Sequence, residues 1–224
     1  MHIKLQKTNQ IIWFVFILLE DNRVKATCYN KSMEHLSAFL PTSIGDLTIT
    51  VYNESLGRET VVLTTPRLTA HIPPLVRIHS ECLTGDIFGS LRCDCGPQKD
   101  ASLHMIAASG NGVFIYLRQE GRGIGLFEKI KAYKLQEKGH DTYDANIILG
   151  HDADAREYSM AKKVLDDLSI TNIKLITNNP TKVREMIDLG INVTERVPIV
   201  IPPNKHNKQY IRTKQERFGH QFDE

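Results

Sequence analysis

The chain is short of several things, and each shortage closes a class of function. Its net charge is only +2, from 28 Lys and Arg against 26 Asp and Glu. No bulk field therefore draws it to nucleic acid or to an anionic membrane. Cysteine occurs four times in 224 residues, and three of the four are clustered, which does not make a secreted disulfide framework. A reducing, cytoplasmic setting is the expectation. The apolar run Ile11 to Leu19 falls far short of the roughly 20 residues that span a bilayer. Behind MHIKLQK it imitates a signal peptide, but Glu20, Asp21 and Arg23 follow at once and no small-x-small cleavage site is evident. A buried strand or a non-native leader is the simpler expectation. There is no internal repeat, no low-complexity segment and no P-loop or dinucleotide-binding fingerprint.

The apolar share of 41% and charged share of 24% are those of a globular chain long enough to bury a real core. Residues 1–40 show weak organisation and end at Pro41. From Ile44, the alternation of Leu47, Ile49 and Val51 predicts a half-buried strand. A turn over Asn53–Gly57 and a strand over Thr60–Thr64 complete an antiparallel hairpin. Further strands are expected at Leu75–His79, Val113–Leu117, Ile173–Ile176 and Ile191–Val197. A helix opens near Pro97 and ends at Gly110-Asn111-Gly112, and Leu126–Lys138 forms another. His140–Gly150 reads as irregular. Asp154 suits the N-cap of a helix running to Leu168, a helix follows Pro180, and a basic, polar tail starts at Asn204. The fold class expected is α/β, a mixed sheet flanked by helices, with the hairpin at one edge.

The stretch RIHSECLTGDIFGSLRCDCGPQ, Arg77 to Gln98, crowds Cys82, Cys93 and Cys95 together. A turn at Gly96-Pro97 can bring the sulfurs of Cys93 and Cys95 to one side, and Cys82 adds a third thiolate. Such a cup suits zinc with an open position for water. Buried free thiols or a disulfide are the bland alternatives. His79, His104 and His151 stand at no standard ligand spacing. Further on, RQEGRGIGL follows a strand and precedes a helix, where backbone amides and two arginines can hold phosphate. Thr177 to Lys182 repeats that arrangement.

Taken together, RIHSECLTGD, SLRCDCG, RQEGRGIGL, KIKAYKLQ, DTYDAN and LITNNPTK resemble GTP cyclohydrolase II, the enzyme that opens riboflavin biosynthesis, from about Pro41 to Gly219. The resemblance implies hydrolysis of the imidazole ring of GTP, with GTP and water as substrates and one Zn²⁺ per chain. Formate and pyrophosphate leave, giving 2,5-diamino-6-(5-phospho-ribosylamino)pyrimidin-4(3H)-one. It implies Cys82, Cys93 and Cys95 as metal ligands. Arg77, Ile78, His79, Ser80, Glu81, Gln98, Glu120, Gly121, Arg122, Thr142, Thr177 and Lys182 match its GTP contacts. Tyr133 matches a catalytic position, Asp154 a proton acceptor, and Arg156 a nucleophile toward the α-phosphate.

By complementarity alone, Glu120 is expected to accept from the N–H groups of the guanine edge. Mg²⁺ is expected with the triphosphate, and a homodimer is expected from the family. Residues 1–40 are then an extension, too short for the synthase domain often fused to this family. Residues 41–219 form the catalytic domain, and 220–224 a tail. Met33 is an alternative start, with residues 1–32 expected to be dispensable. Two rivals stand: an enzyme that opens the ring but keeps the formyl group, and a zinc-stabilised nucleotide sensor without turnover.

Overall fold

In the computed structural model, residues 14–20, 23–29, 33–54, 58–152 and 154–222 are described. The chain divides into two units, Met1–Glu34 and His35–Glu224. The first holds β1 (Phe14–Glu20) and β2 (Arg23–Tyr29), paired antiparallel in a sheet of their own. The signal-like segment ahead of Phe14 lies outside the described residues, as do residues 55–57 of the expected turn.

The second unit is built on a seven-stranded mixed sheet. Its strands are β3 (His35–Thr42), β4 (Gly45–Asn53), β5 (Glu59–Thr64), β6 (Leu75–Ser80), β7 (Gly112–Leu117), β8 (Asn172–Ile176) and β9 (Asn192–Val197), in the order β3-β4-β5-β7-β6-β8-β9. The expected hairpin is β4 and β5, antiparallel from Thr48↔Thr64 to Asn53↔Glu59. One strand more than expected, β3, extends that edge and reaches into the stretch before Pro41. It leaves Leu36 and Phe39 81% and 66% exposed. An edge strand facing solvent with apolar and polar residues alike carries no alternation to read.

The four strands β7, β6, β8 and β9 pair parallel. Parallel strands covered on both faces become near-continuous apolar runs, and Val76, Ile78, Val113, Ile115, Ile173 and Leu175 are all fully buried. Each contributes about 1.5–3 kcal/mol on burial. The crossover from β6 to β7 contains α1 (Leu83–Asp86) and α2 (Cys95–Ser109), the latter ended by Gly110 at φ 67. Ile106 of α2 packs against Phe114, Ile176 and Ile199.

Between β7 and β8 come α3 (Leu126–Gln136), α4 (Thr142–Ile148) and α5 (Ser159–Asp167). Helix α6 (Pro180–Asp188) links β8 to β9, and α7 (Lys208–Phe218) follows. Three expectations are corrected here. The stretch read as irregular contains α4, capped by Asp141, whose Oδ1 accepts the Asp144 amide at 2.8 Å. Helix α5 starts at Ser159, so Asp154 caps nothing. The tail expected from Asn204 is largely helix, with Lys214 buried. Among the described residues no helix is long and apolar enough to cross a membrane.

Candidate active site

The chain leaves β6 toward β7 on one side and returns from β7 to β8 on the other side of β6. A crevice opens beyond the carboxyl ends of strands where order reverses in this way. Here β6 and β8 pair only at Leu75↔Lys174 and Val76↔Leu175 and then part. Arg77 fills the split, donating from Nη1 to the Ile176 carbonyl at 3.1 Å and from Nη2 to Gln98 Oε1 at 2.7 Å. The resulting cavity, continuous with solvent, is lined from the strand ends: Cys82 after β6, Glu120–Arg122 after β7, and Thr177, Asn178, Asn179 and Lys182 after β8.

At one end lies the cysteine cup. The Sγ atoms of Cys82, Cys93 and Cys95 lie within 4.8 Å of one another, and all three residues are free thiols, so no disulfide joins them. Cys82 precedes α1, and Cys93 and Cys95 flank Asp94 where α2 begins. The expected turn is thus the first turn of that helix. Cys82 and Cys93 sulfurs are 3.7 Å apart, close to the roughly 3.8 Å spanned by two thiolates at about 2.3 Å on a tetrahedral zinc. Gly85 leaves the space: a Cβ there would lie 2.8 Å from Cys93 Sγ and 3.2 Å from Cys82 Sγ. Hydrogen bonds from Cys93 and Cys95 hold the Cys82 thiol low despite burial, while the thiols of Cys93 and Cys95 are pushed up. Three sulfurs this close cannot all be anionic without a cation between them, and a soft divalent ion fits the set. Among the described residues no imidazole joins it. His79 faces Asp86 at 3.0 Å, His104 is exposed, and His151 pairs with Glu128 at 3.2 Å.

Behind the cup, Asp86 accepts from the Cys82 amide at 2.9 Å and from Tyr116 Oη at 3.0 Å. Burial lowers the pKa of His79 beside it, against the Asp86 hydrogen bond. In front, Lys129 Nζ of α3 reaches Cys82 Sγ at 3.1 Å, Thr84 Oγ1 at 3.0 Å and Glu120 Oε1 at 2.8 Å. Burial alone would lower the Lys129 pKa, but Cys82 and Glu120 more than offset it. Glu120 also accepts from the amides of Leu83 at 2.6 Å and Gly121 at 2.7 Å. Both its oxygens are therefore engaged within the protein, where the sequence reading turned them to a guanine edge. Tyr133 Oη lies 3.3 Å from Thr84 Oγ1, one hydroxyl away from the cup. Burial raises its pKa, although Thr84 and Lys129 pull the other way.

The opposite end is cationic. Lys182 is 5% exposed and donates to the Ile78 carbonyl at 2.8 Å. Burial, then Arg77 and Arg156, push its pKa well down. Arg156 is gripped by Asp154, with Nε to Oδ1 at 2.7 Å and Nη2 against Oδ2. Burial would lower the pKa of Arg156, but Tyr158 and Asp154 hold it raised. Gly121 and Arg122 both take left-handed backbone, φ 61 and 62, at a cost of about 1–2 kcal/mol for the arginine. The Ala155 amide to Arg122 O at 3.1 Å and the Phe218 ring, 3.8 Å from the guanidinium, hold that bend.

Most of the residues singled out from sequence therefore meet in one cavity. Gln98 and Thr177 are buried within its wall. Ser80 accepts from Gln119 at 2.9 Å, Thr142 accepts from Gln136 at 3.4 Å, and Glu81 stands 3.8 Å from Arg118. Two residues are placed differently. The Ile78 side chain is fully buried in the core, with its carbonyl turned to Lys182, and Asp154 does not line the cavity but binds Arg156, which does. Sequence reasoning missed Lys129, Tyr210, Lys214 and His220. The motif KIKAYKLQ contained the first, but its helical spacing could not show a lysine turned onto a cysteine.

A model of the GTP cyclohydrolase II family matches residues 33–198. The GTP cyclohydrolase-2 of Acinetobacter baylyi is 54% identical over 185 residues, 82% of this chain and 92% of that protein. That of Neisseria gonorrhoeae is 47% identical over 193 residues, 86% of this chain and 98% of its own length. The riboflavin biosynthesis protein RibBA of Bacillus subtilis is 51% identical over 183 residues, which are 81% of this chain but 46% of that longer protein. With matches of this extent over a core whose strand ends gather three thiols and a cluster of cations into one cavity, the chain belongs to the GTP cyclohydrolase II family of enzymes.

Proposed function

We propose that the protein opens the imidazole ring of GTP as the first step of riboflavin biosynthesis. Formate and pyrophosphate are released, leaving 2,5-diamino-6-(5-phospho-ribosylamino)pyrimidin-4(3H)-one. One observation carries this reading: a single cavity joins a three-thiol cup to a cation-lined end. That polarity suits a nucleotide with its base at the sulfurs and its phosphates at the arginines and lysines.

Cys82, Cys93 and Cys95 would hold one Zn²⁺. When bound, it supplies acidification of a water toward neutral pH for hydrolysis at C8 of the base. Lys129 compensates the charge of the Cys82 sulfur and fixes Glu120, which in turn pins the glycine-rich loop to α1. Tyr133, a protonated phenol at working pH, is set to hand or orient a proton at a ring nitrogen as a C–N bond breaks. At the far end Arg77, Arg122, Arg156 and Lys182 bind the triphosphate, accompanied by Mg²⁺. Asp154 orients Arg156 and keeps it cationic, so its action is to stabilise charge on departing pyrophosphate rather than to attack phosphorus. The working unit is a cytoplasmic homodimer on the strength of the family resemblance.

Product analysis tests the reading. Incubation with GTP should release formate and pyrophosphate in equal amounts. Consumption of GTP without formate would identify the formyl-retaining rival, and binding without consumption the sensor.

A further inference from the structure

The helix α7 and the residues after it lie beyond the span matched by the family model, yet they reach three parts of the cavity wall. Lys214 Nζ pairs with Asp94 Oδ1 at 2.5 Å, between the two cysteines that flank that aspartate. The Phe218 ring lies under the Arg122 guanidinium at 3.8 Å. The Gln221 amide donates to the Asn178 carbonyl at 2.8 Å, beside the loop after β8. A strap fixed at three points carries its intervening side chains into the cavity, and Tyr210, Lys214 and His220 all line it.

His220 is the informative one. Its Nδ1 is buried without a hydrogen-bond partner, a state that costs stability unless a ligand relieves it. The charged groups bearing on it are Lys214 on α7, Arg156 from the loop before α5, Arg122 from the loop after β7, and Lys182 on α6. Lysine and guanidinium side chains bring donors and positive charge to this corner. In the tautomer that carries its proton on Nδ1, the ring takes its acceptor from outside the chain, and the surrounding charge selects an anion.

We propose that α7 with His220 is the fourth wall of the phosphate end of the site. His220 Nδ1–H donates to a phosphate oxygen of the nucleotide, and Lys214, held by Asp94, adds positive charge beside it. This rests on the GTP reading of the cavity. The occupant of this end is the polyphosphate, not the base, so the residues act on phosphate affinity alone.

Calorimetric titration of the full-length, zinc-loaded protein with inorganic pyrophosphate and, separately, with guanosine tests it. His220→Ala should weaken pyrophosphate about tenfold, the worth of one hydrogen bond to a charged group, and leave guanosine unchanged. His220→Asn, which keeps a donor, should regain most of the loss. Lys214→Met should act in the same direction. If that variant fails to fold because Asp94 loses its partner, His220→Ala, placed after the helix cap, carries the test. Unchanged pyrophosphate affinity in His220→Ala overturns the proposal, as does equal weakening of both ligands, which would mark a structural role. Wild-type protein that binds neither GTP nor pyrophosphate would overturn the GTP reading and this proposal with it.

Discussion

Gly85→Ala puts a methyl group into the cysteine cup without asking anything of the backbone. Gly85 lies inside α1 and is not among the glycines with positive φ, so alanine is locally acceptable there and even slightly favoured. The added Cβ would stand 2.8 Å from Cys93 Sγ, and 3.2 Å from both Cys82 Sγ and Cys95 Cβ. The first separation is shorter than any relaxed carbon–sulfur contact, so the sulfur must swing away. Overpacking of this size costs about 1–3 kcal/mol. In the metal-free protein the thiol can rotate and relieve most of it. With a metal bound, three sulfurs are tied to one point and the strain stays. The cost therefore falls on metal affinity, as an increase of roughly 5- to 150-fold in the zinc dissociation constant. Competition against a chromophoric chelator reads that constant directly, and a thermal melt of the metal-free protein should move little. Zinc affinity within twofold of wild type would refute the reasoning, because the sulfurs would then not be the ligands.

Other outcomes follow from the same geometry. Tyr133→Phe should slow formate release at least tenfold while GTP affinity stays within a few fold; the reverse split, read from kcat and KM, would make the tyrosine a binding residue. Rapid quench with GTP labelled at the α-phosphate should leave no label on the wild-type protein, since Asp154 keeps Arg156 protonated; acid-labile label absent from Arg156→Ala would show a covalent arginine instead. Burial, with Lys214, Arg156 and Arg122, pushes the His220 pKa down to about 2. Below the ordinary 6.5 the unfolded chain takes a proton that the folded chain refuses. Stability is therefore full above pH 6.5 and falls as pH drops, by about 2 kcal/mol at pH 5. Denaturant unfolding of wild type and His220→Asn between pH 5 and 8 should show the shallower slope in the variant.

How far the sequence revealed this arrangement depends on how local each signal is. The parallel strands announce themselves, because a strand buried on both faces is a run of Val, Ile and Leu wherever it is met. Cys93 and Cys95 are near neighbours with Cys82 a short loop away, so a shared site was visible without a fold. Strand β3 was not, since its apolar residues face solvent at the sheet edge. Helix α4 was hidden in a short stretch without a clear apolar period, where Asp141 supplies the N-cap. The Lys214–Asp94 pair joins residues 120 positions apart, and a lysine in a basic tail gives no sign that it ends buried. Glu120 shows the opposite limit: its carboxylate suits a guanine edge by type, and residue type alone does not show that the Leu83 and Gly121 amides and Lys129 also bind it.

The central claim is that one cavity unites metal-dependent ring hydrolysis with triphosphate binding. Zinc titration of metal-free protein, with formate counted against GTP consumed, tests it most directly. The account predicts formate release rising in proportion to zinc until one ion per chain is bound, and no release from Cys82→Ser at any zinc level. Full formate release from the metal-free protein, or from Cys82→Ser, would contradict it.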